Sequence, residues 1–171
     1  MKKAIKILSF CLCILILAGC DRATKDLAKH HLKNQDPISY FHNSFRLEYA
    51  ENTGAALNLG DSLPSSTSFW LLSILPLLFL VGFFIHSIIH VGALTYKKLF
   101  LYALIIAGGF GNIIDRLQFN RHVTDFMNIG IHNLRTGIFN FADLYISIGV
   151  MGMFLYWSTK KSTAKNGNTE Y

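Results

Sequence analysis

The sequence predicts an all-α membrane protein of four transmembrane helices with a small extracytoplasmic β-rich platform. Three observations predict it. Hydrophobic residues make up 51% of the 171 and charged residues only 15%, with a positive mean hydropathy, which does not suit an ordinary soluble globule. The apolar residues fall into uncharged stretches from Ile7 to Cys20, Ser62 to Tyr96, Leu99 to Ile114 and Ile138 to Thr159, the last interrupted only by Asp143. Between the first two lies an aromatic, β-like run. A bilayer core about 30 Å thick takes roughly 20 apolar residues per helix, which places spans near 4–20, 68–90, 97–114 and 138–159. Residues 1–161 then form a single polytopic domain and 162–171 a small polar tail.

Each element has a local reason. The first span passes into a charged helical piece ending near Lys33. After Pro37 come Tyr40, Phe41, Phe45, Leu47 and Tyr49, then the turn Asn52-Thr53-Gly54 and the small apolar Ala55, Ala56 and Leu57, which together read as a sheet lying on the membrane. The second stretch is longer than one crossing, so it starts as loop around Pro64 and becomes helix near Phe69, with a kink at Pro76. The third is short and borrows Tyr96 and the snorkelling stems of Lys97 and Lys98. A second outer loop, Asp115 to Gly137, carries Val123-Thr124-Asp125-Phe126-Met127 and a Gly130 turn before re-entry at Ile138.

The net charge of +6 would suit nucleic acid, but the cations flank the spans. Lys2, Lys3, Lys6, Lys97, Lys98, Lys160, Lys161 and Lys165 occupy short flanks, whereas an equal number of Lys and Arg are diluted over the two longer loops. That density difference places both termini in the cytoplasm and both long loops outside. Cys11, Cys13 and Cys20 lie in or at the end of the first span, where no disulfide framework is plausible.

An ionisable residue inside a span is costly, so Asp143 is the first functional candidate. Asn140 lies three residues earlier, on what reads as the same helical face. Asp115 and Arg116 end the third span with Asn112 a turn before, and Asp125 stands in the intervening loop. Two carboxylates in a low-dielectric site do not both ionise easily, so one keeps a proton while the other deprotonates a water. Asp115, Asp125 and Asp143 are all candidates for such a pair. Arg116 beside Asp115 suits that residue to a permanently charged structural role, which leaves Asp125 and Asp143.

Five motifs in order along nearly the whole chain resemble the lipoprotein signal peptidase (signal peptidase II) family. Asp21-Arg-Ala-Thr-Lys25 is similar to its block after the first span, and Glu51-Asn-Thr-Gly-Ala-Ala56 to its Asn-x-Gly-Ala loop. Gly108-Gly-Phe-Gly-Asn-Ile-Ile-Asp-Arg116 resembles its third-helix signature, and Val123-Thr-Asp-Phe126 and Phe139-Asn-Phe-Ala-Asp143 its two aspartate blocks. The resemblance implies a membrane aspartyl endopeptidase with Asp125 and Asp143 as the catalytic pair. It implies that Asn52, Gly54, Asn112, Asp115, Arg116 and Asn140 surround the site and that Asp21 and Lys25 support it. Leu57-Asn58 departs from the family's usual Phe-Ser.

The same resemblance implies diacylglyceryl-modified prolipoprotein substrates, cut before the lipidated cysteine, with membrane lipid as the other partner. No cofactor, metal or nucleic acid is expected. The chain is expected to act as a monomer in the bacterial inner (cytoplasmic) membrane, with the site at the outer face. Gly108, Gly109 and Gly111 would let a helix or a substrate approach closely. His86 and His90 are four apart but lack a completing acid or cysteine, so they are read as interfacial and not as a metal site. Leu17-Ala-Gly-Cys20 looks like a lipoprotein signal, yet three further spans favour retention of the first. The rival reading is a small transporter or proton-coupled channel, which would need polar groups through the full depth.

Overall fold

A computed structural model describes residues 1–54, 63–132 and 134–166. Ala55, Ala56, the Leu57-Asn58 departure and residues 167–171 of the tail lie outside the described residues. Four helices are long and apolar enough to cross a membrane. The first, α1, runs unbroken from Lys2 to Leu32. Its upper half turns amphipathic: Asp21, Lys25, Ala28 and Leu32 recur at helical spacing and are buried, while Arg22 and Asp26 pair on the outside. The helix stops where Lys33 becomes extended and Asn34 takes a positive φ of 63°.

The second span is built from α2 (Ser65–Phe69), a π-helical turn at Trp70–Ile74, and α3 (Leu75–Ile89). The π turn answers the expected kink. Pro76 has no N–H and its ring would strike the carbonyl a turn earlier, so the ladder widens just before it, with the Leu75 N–H bonded to the Trp70 carbonyl. The third span, α4 (Tyr96–Gln118), starts at a Thr95 cap whose side chain accepts from the Lys98 N–H at 3.3 Å. It runs one turn beyond the expected end, so Asp115 and Arg116 lie on the helix. Helix α4 is central: it packs against α1, α3 and α5, and half of its apolar window is buried against 17% or less for the other spans.

Strands β1 (Ile38–Tyr40), β2 (Phe45–Asn52), β3 (Val123–Ile131) and β4 (Leu134–Arg135) form one antiparallel sheet in that order. Ala28 and Leu32 of α1 pack on Phe126 and Met127 of β3, which fixes the sheet to the end of the bundle. In β2, Phe45 and Leu47 face Ile129 and Met127, then one extra residue enters and Ala50 and Asn52 face Asp125 and Val123. Side chains alternate along a strand, so without that bulge Asn52 would point to the face opposite Asp125.

The last helix, α5 (Phe141–Asn166), begins later than the expected span start at Ile138. Phe139 is still extended, exchanging backbone hydrogen bonds with Met127 in both directions at 2.8 Å. Asp143 therefore sits in the first turn of α5, not five residues into a span, and Asn140 precedes the helix instead of sharing a helical face with it. The helix runs through Asn166, so the start of the stretch read as a polar tail is helical. At the opposite end from the sheet, Phe10, Val91, Leu94, Leu99, Ala103 and Ile106 form an apolar core.

Candidate active site

Asp125 comes from near the start of β3 and Asp143 from the start of α5, brought to one place by the return of the chain along β3. Asn140 donates its amide to Asp125 Oδ1 at 2.6 Å, and Asn52, turned inward by the bulge, donates to Asp125 Oδ2 at 3.1 Å. Asn112 donates to Asp143 Oδ1 at 2.7 Å. The backbone at the helix start completes the set. The Asp143 N–H donates to Asn140 Oδ1 and the Asn140 N–H donates to Asp143 Oδ2, both at 3.1 Å, a reciprocal cap in which the side chain at the cap and the one three residues on satisfy each other's orphan donors. The motif Asn140-Phe-Ala-Asp143 thus starts a helix and orients a carboxylate at once.

Behind these groups lies a buried ion cluster. Lys25, 1% exposed, holds Asp21 Oδ2 at 2.9 Å and Asp115 Oδ2 at 3.0 Å, and donates to Asn112 Oδ1 at 3.0 Å. Lysine only donates, so it turns the Asn112 oxygen toward itself and the amide nitrogen toward Asp143. The other oxygen of Asp21 accepts from the Ala142 N–H at 2.8 Å, tying α1 to the first turn of α5. Asp115 does have a charged structural role, but its partners are Lys25 and Arg22, at 3.0 Å each, and not the neighbouring Arg116. Arg22 carries no sequence signal for this beyond its spacing from Asp26. Thr24, part of the same motif, bonds back to the Cys20 and Asp21 carbonyls, away from the site.

Arg116 points elsewhere, donating to the Gly54 carbonyl at 2.7 Å and so bracing the Asn52–Gly54 turn. Asn52 Oδ1 accepts from the Gly54 N–H at 2.9 Å, which leaves its amide nitrogen for Asp125. Every expected site residue is thereby placed at or directly behind the two aspartates.

A cleft of about 750 Å³ opens in front of them. Asn52, Asn112, Arg116, Asp125 and Asp143 line its polar end. Its walls are apolar: Leu72, Pro76 and Phe79 from the second span, Ile105 and Gly109 from α4, and Ile146 and Val150 from α5. Thr136, Gly137 and Ile138, which no motif had marked, also line it, together with Phe139 from the second aspartate block. Burial, with the charge of Asp143 adding to it, pushes the Asp125 carboxyl up to about 7, against the lowering effect of the Asn52 and Asn140 amides. The rings of His86 and His90 lie tilted against each other at 4.3 Å, exposed, and no third His, Cys, Asp or Glu joins them among the described residues.

Comparison with known proteins gives the same direction. The family profile described as signal peptidase (SPase) II matches residues 13–159. The chain belongs to the signal peptidase II family. Within that family it is 33% identical to the lipoprotein signal peptidase of Borrelia duttonii over 157 residues, which is 88% of this chain and 91% of that one. The lipoprotein signal peptidase of Thermodesulfovibrio yellowstonii is 34% identical over 165 residues, 92% and 99% of the two chains. That of Tropheryma whipplei is 36% identical over 150 residues, 85% and 91% of the two chains. A bacterial membrane enzyme solved by the in meso method at 2.3 Å resolution superposes with a TM-score of 0.70 at 25% identity, covering 92% of each chain. Another, at 1.9 Å resolution, gives 0.73 at 24% identity over 88% and 93% of the two chains and agrees in fold. As a signal peptidase II the chain is a multi-pass bacterial membrane peptidase, and the transporter or channel reading is not favoured. Among the described residues the buried charged and amide side chains gather at one end of the bundle, while the other end holds the apolar core.

Proposed function

We propose that this protein is an aspartyl endopeptidase that removes signal peptides from diacylglyceryl-modified prolipoproteins, cutting before the lipidated cysteine. The observation that carries this reading is the meeting of Asp125 and Asp143, each braced by amides, at the polar end of an apolar cleft. Asp125 keeps its proton into the neutral range and serves as acid; Asp143, whose charge helps hold that proton, serves as base. Asp143 takes a proton from a water whose oxygen bonds to the scissile carbonyl carbon, and Asp125 protonates the carbonyl oxygen. When that intermediate collapses, the oxygen gives its proton back, the C–N bond breaks, and the amine leaves with the proton Asp143 had taken. No metal or cofactor takes part in these steps. Asn52, Gly54, Asn112, Arg116 and Asn140 hold the geometry, and Asp21, Lys25 and Asp115 brace it from behind.

The protein works as a monomer in the inner membrane with both termini cytoplasmic and the cleft at the outer face, a topology supported by the dense lysine flanks. The apolar cleft suits both the signal helix and the acyl chains. The test is cleavage of a lipidated signal-peptide substrate by purified protein in detergent. Asp125→Asn and Asp143→Asn should each lower the rate by at least about 10³-fold and the double variant should be no worse, because members of one catalytic unit are strongly non-additive. Substantial activity in either single variant removes that residue from the pair.

A further inference from the structure

The segment between β4 and α5 leaves backbone groups unused beside the site. Thr136 and Phe139 are both tied to β3: the Thr136 N–H donates to the Ile129 carbonyl, and Phe139 exchanges both of its groups with Met127. Between them, the N–H and C=O groups of Gly137 and Ile138 make no hydrogen bond among the described residues. In an antiparallel ladder, successive residues direct their backbone groups to opposite edges. Since Phe139 faces β3, Ile138 directs its N–H and C=O away from β3. Both residues line the cleft, and Asn140 and Asp143 follow two and five residues after Ile138. Gly137 and Ile138 are half-buried, and a substrate filling the apolar cleft would take their backbone groups from water, so this edge suits a complementary backbone.

We propose that the substrate's peptide segment on the amino side of the scissile bond docks as an extended strand on the Ile138 edge. This deepens the activity proposed above and rests on it. One substrate residue exchanges N–H···O bonds with Ile138 in both directions, and the residues on either side point their backbone groups away. Strand addition of this kind recognises shape and backbone, with side-chain preference left to the cleft walls. It also unwinds the end of the signal helix, whose intact backbone ladder would otherwise shield the scissile carbonyl.

The test uses the wild-type enzyme and a synthetic lipidated signal peptide. Each peptide bond for four residues before the cleavage bond is replaced in turn by an ester, which removes one N–H donor. Strand docking predicts a loss of about tenfold in kcat/KM at one position, with the two neighbouring positions close to the parent. Equal cleavage of all the esters, or an equal loss at every position, overturns strand docking while leaving the peptidase activity standing. Failure to cleave the all-amide parent is a different outcome, and it removes the activity reading and this one together. On the enzyme side, Ile138→Pro deletes the donor while the Met127–Phe139 pairing can persist. It removes the donor to a substrate carbonyl and keeps the carbonyl that accepts the substrate N–H, so it should lower kcat/KM for the all-amide parent by about tenfold while the ester difference persists, and an unchanged kcat/KM counts against Ile138 as the partner.

Discussion

Asparagine carries much of the work at the level of single residues. Three side-chain amides, from Asn52, Asn112 and Asn140, donate to the two aspartates, and each is turned the right way by what holds its oxygen. Asn52 is turned by the Gly54 N–H, Asn140 by the Asp143 N–H, and Asn112 by Lys25. An amide can flip and a carboxylate can lose its partner, so a donor-only lysine and two backbone N–H groups make the arrangement determinate. Lys25 also pairs with both buried carboxylates, Asp21 and Asp115, and Arg22 supplies a second positive charge at Asp115. Asp125 holds its proton until about pH 7, so the alkaline limb of the kcat profile should have its midpoint near there. The Asn52 donor favours the charged form of Asp125. Asn52→Ala should therefore raise the pKa and move the alkaline limb to higher pH, whatever it does to the maximal rate. A limb that stays in place in this variant would mean that some other group titrates.

The secondary-structure elements position these residues through three local irregularities. The bulge in β2 brings Asn52 to the face of Asp125, the π turn before Pro76 shapes the wall of the cleft, and the delayed start of α5 puts Asp143 in a first turn. Close approach makes the rest possible. A side chain at Gly108 would place its first carbon 2.4 Å from the Ala142 carbonyl oxygen, and one at Gly111 would lie 2.5 Å from Asp21 Oδ2. The helix-packing role is therefore realised at Gly108 and Gly111, while Gly109 also lines the cleft. Gly82 has nothing within 4 Å of the same position. Gly108→Ala should destabilise by about 1–3 kcal/mol and lower kcat by shifting the start of α5, whereas Gly82→Ala should be neutral or stabilising by up to about 1 kcal/mol. Thermal unfolding in detergent separates them, and equal melting temperatures would show that α4 and α5 have room to spare.

Across the whole molecule, α1 belongs to both ends. Phe10 packs in the apolar core and Lys6 donates to the Leu94 carbonyl at 2.7 Å, while Asp21, Arg22 and Lys25 reach the site region in the same unbroken helix. Cutting before Cys20 would detach the site-bracing half from the half that anchors it. The lipoprotein-like Leu17-Ala-Gly-Cys20 lies inside this helix, so we predict that the first span is retained. Intact-mass measurement on membrane-extracted protein should give the full-length chain, and Cys20→Ala should stay active. A species starting at Cys20 and bearing diacylglycerol would contradict retention.

Composition and order along the chain determined the spans, the small sheet and the candidate site residues, because burial in lipid demands long apolar runs and the candidates sit in short, recognisable blocks. Asp125 and Asp143 stood out as a carboxylate pair, and Asn112 and Asn140 as their neighbours. Arg22 as a partner of Asp115 did not, since ion pairing between residues 93 apart leaves no mark on local spacing. The face of Asn52 depends on one extra residue in a strand register, and register is set by pairing with β3. Nor could Asp143 be read as a first-turn residue, because Ile138 and Phe139 are as apolar as a span, and Phe139 stays extended through its bonds to Met127 and Phe126. Those decisions belong to the tertiary structure, where one segment's conformation is fixed by hydrogen bonds to another.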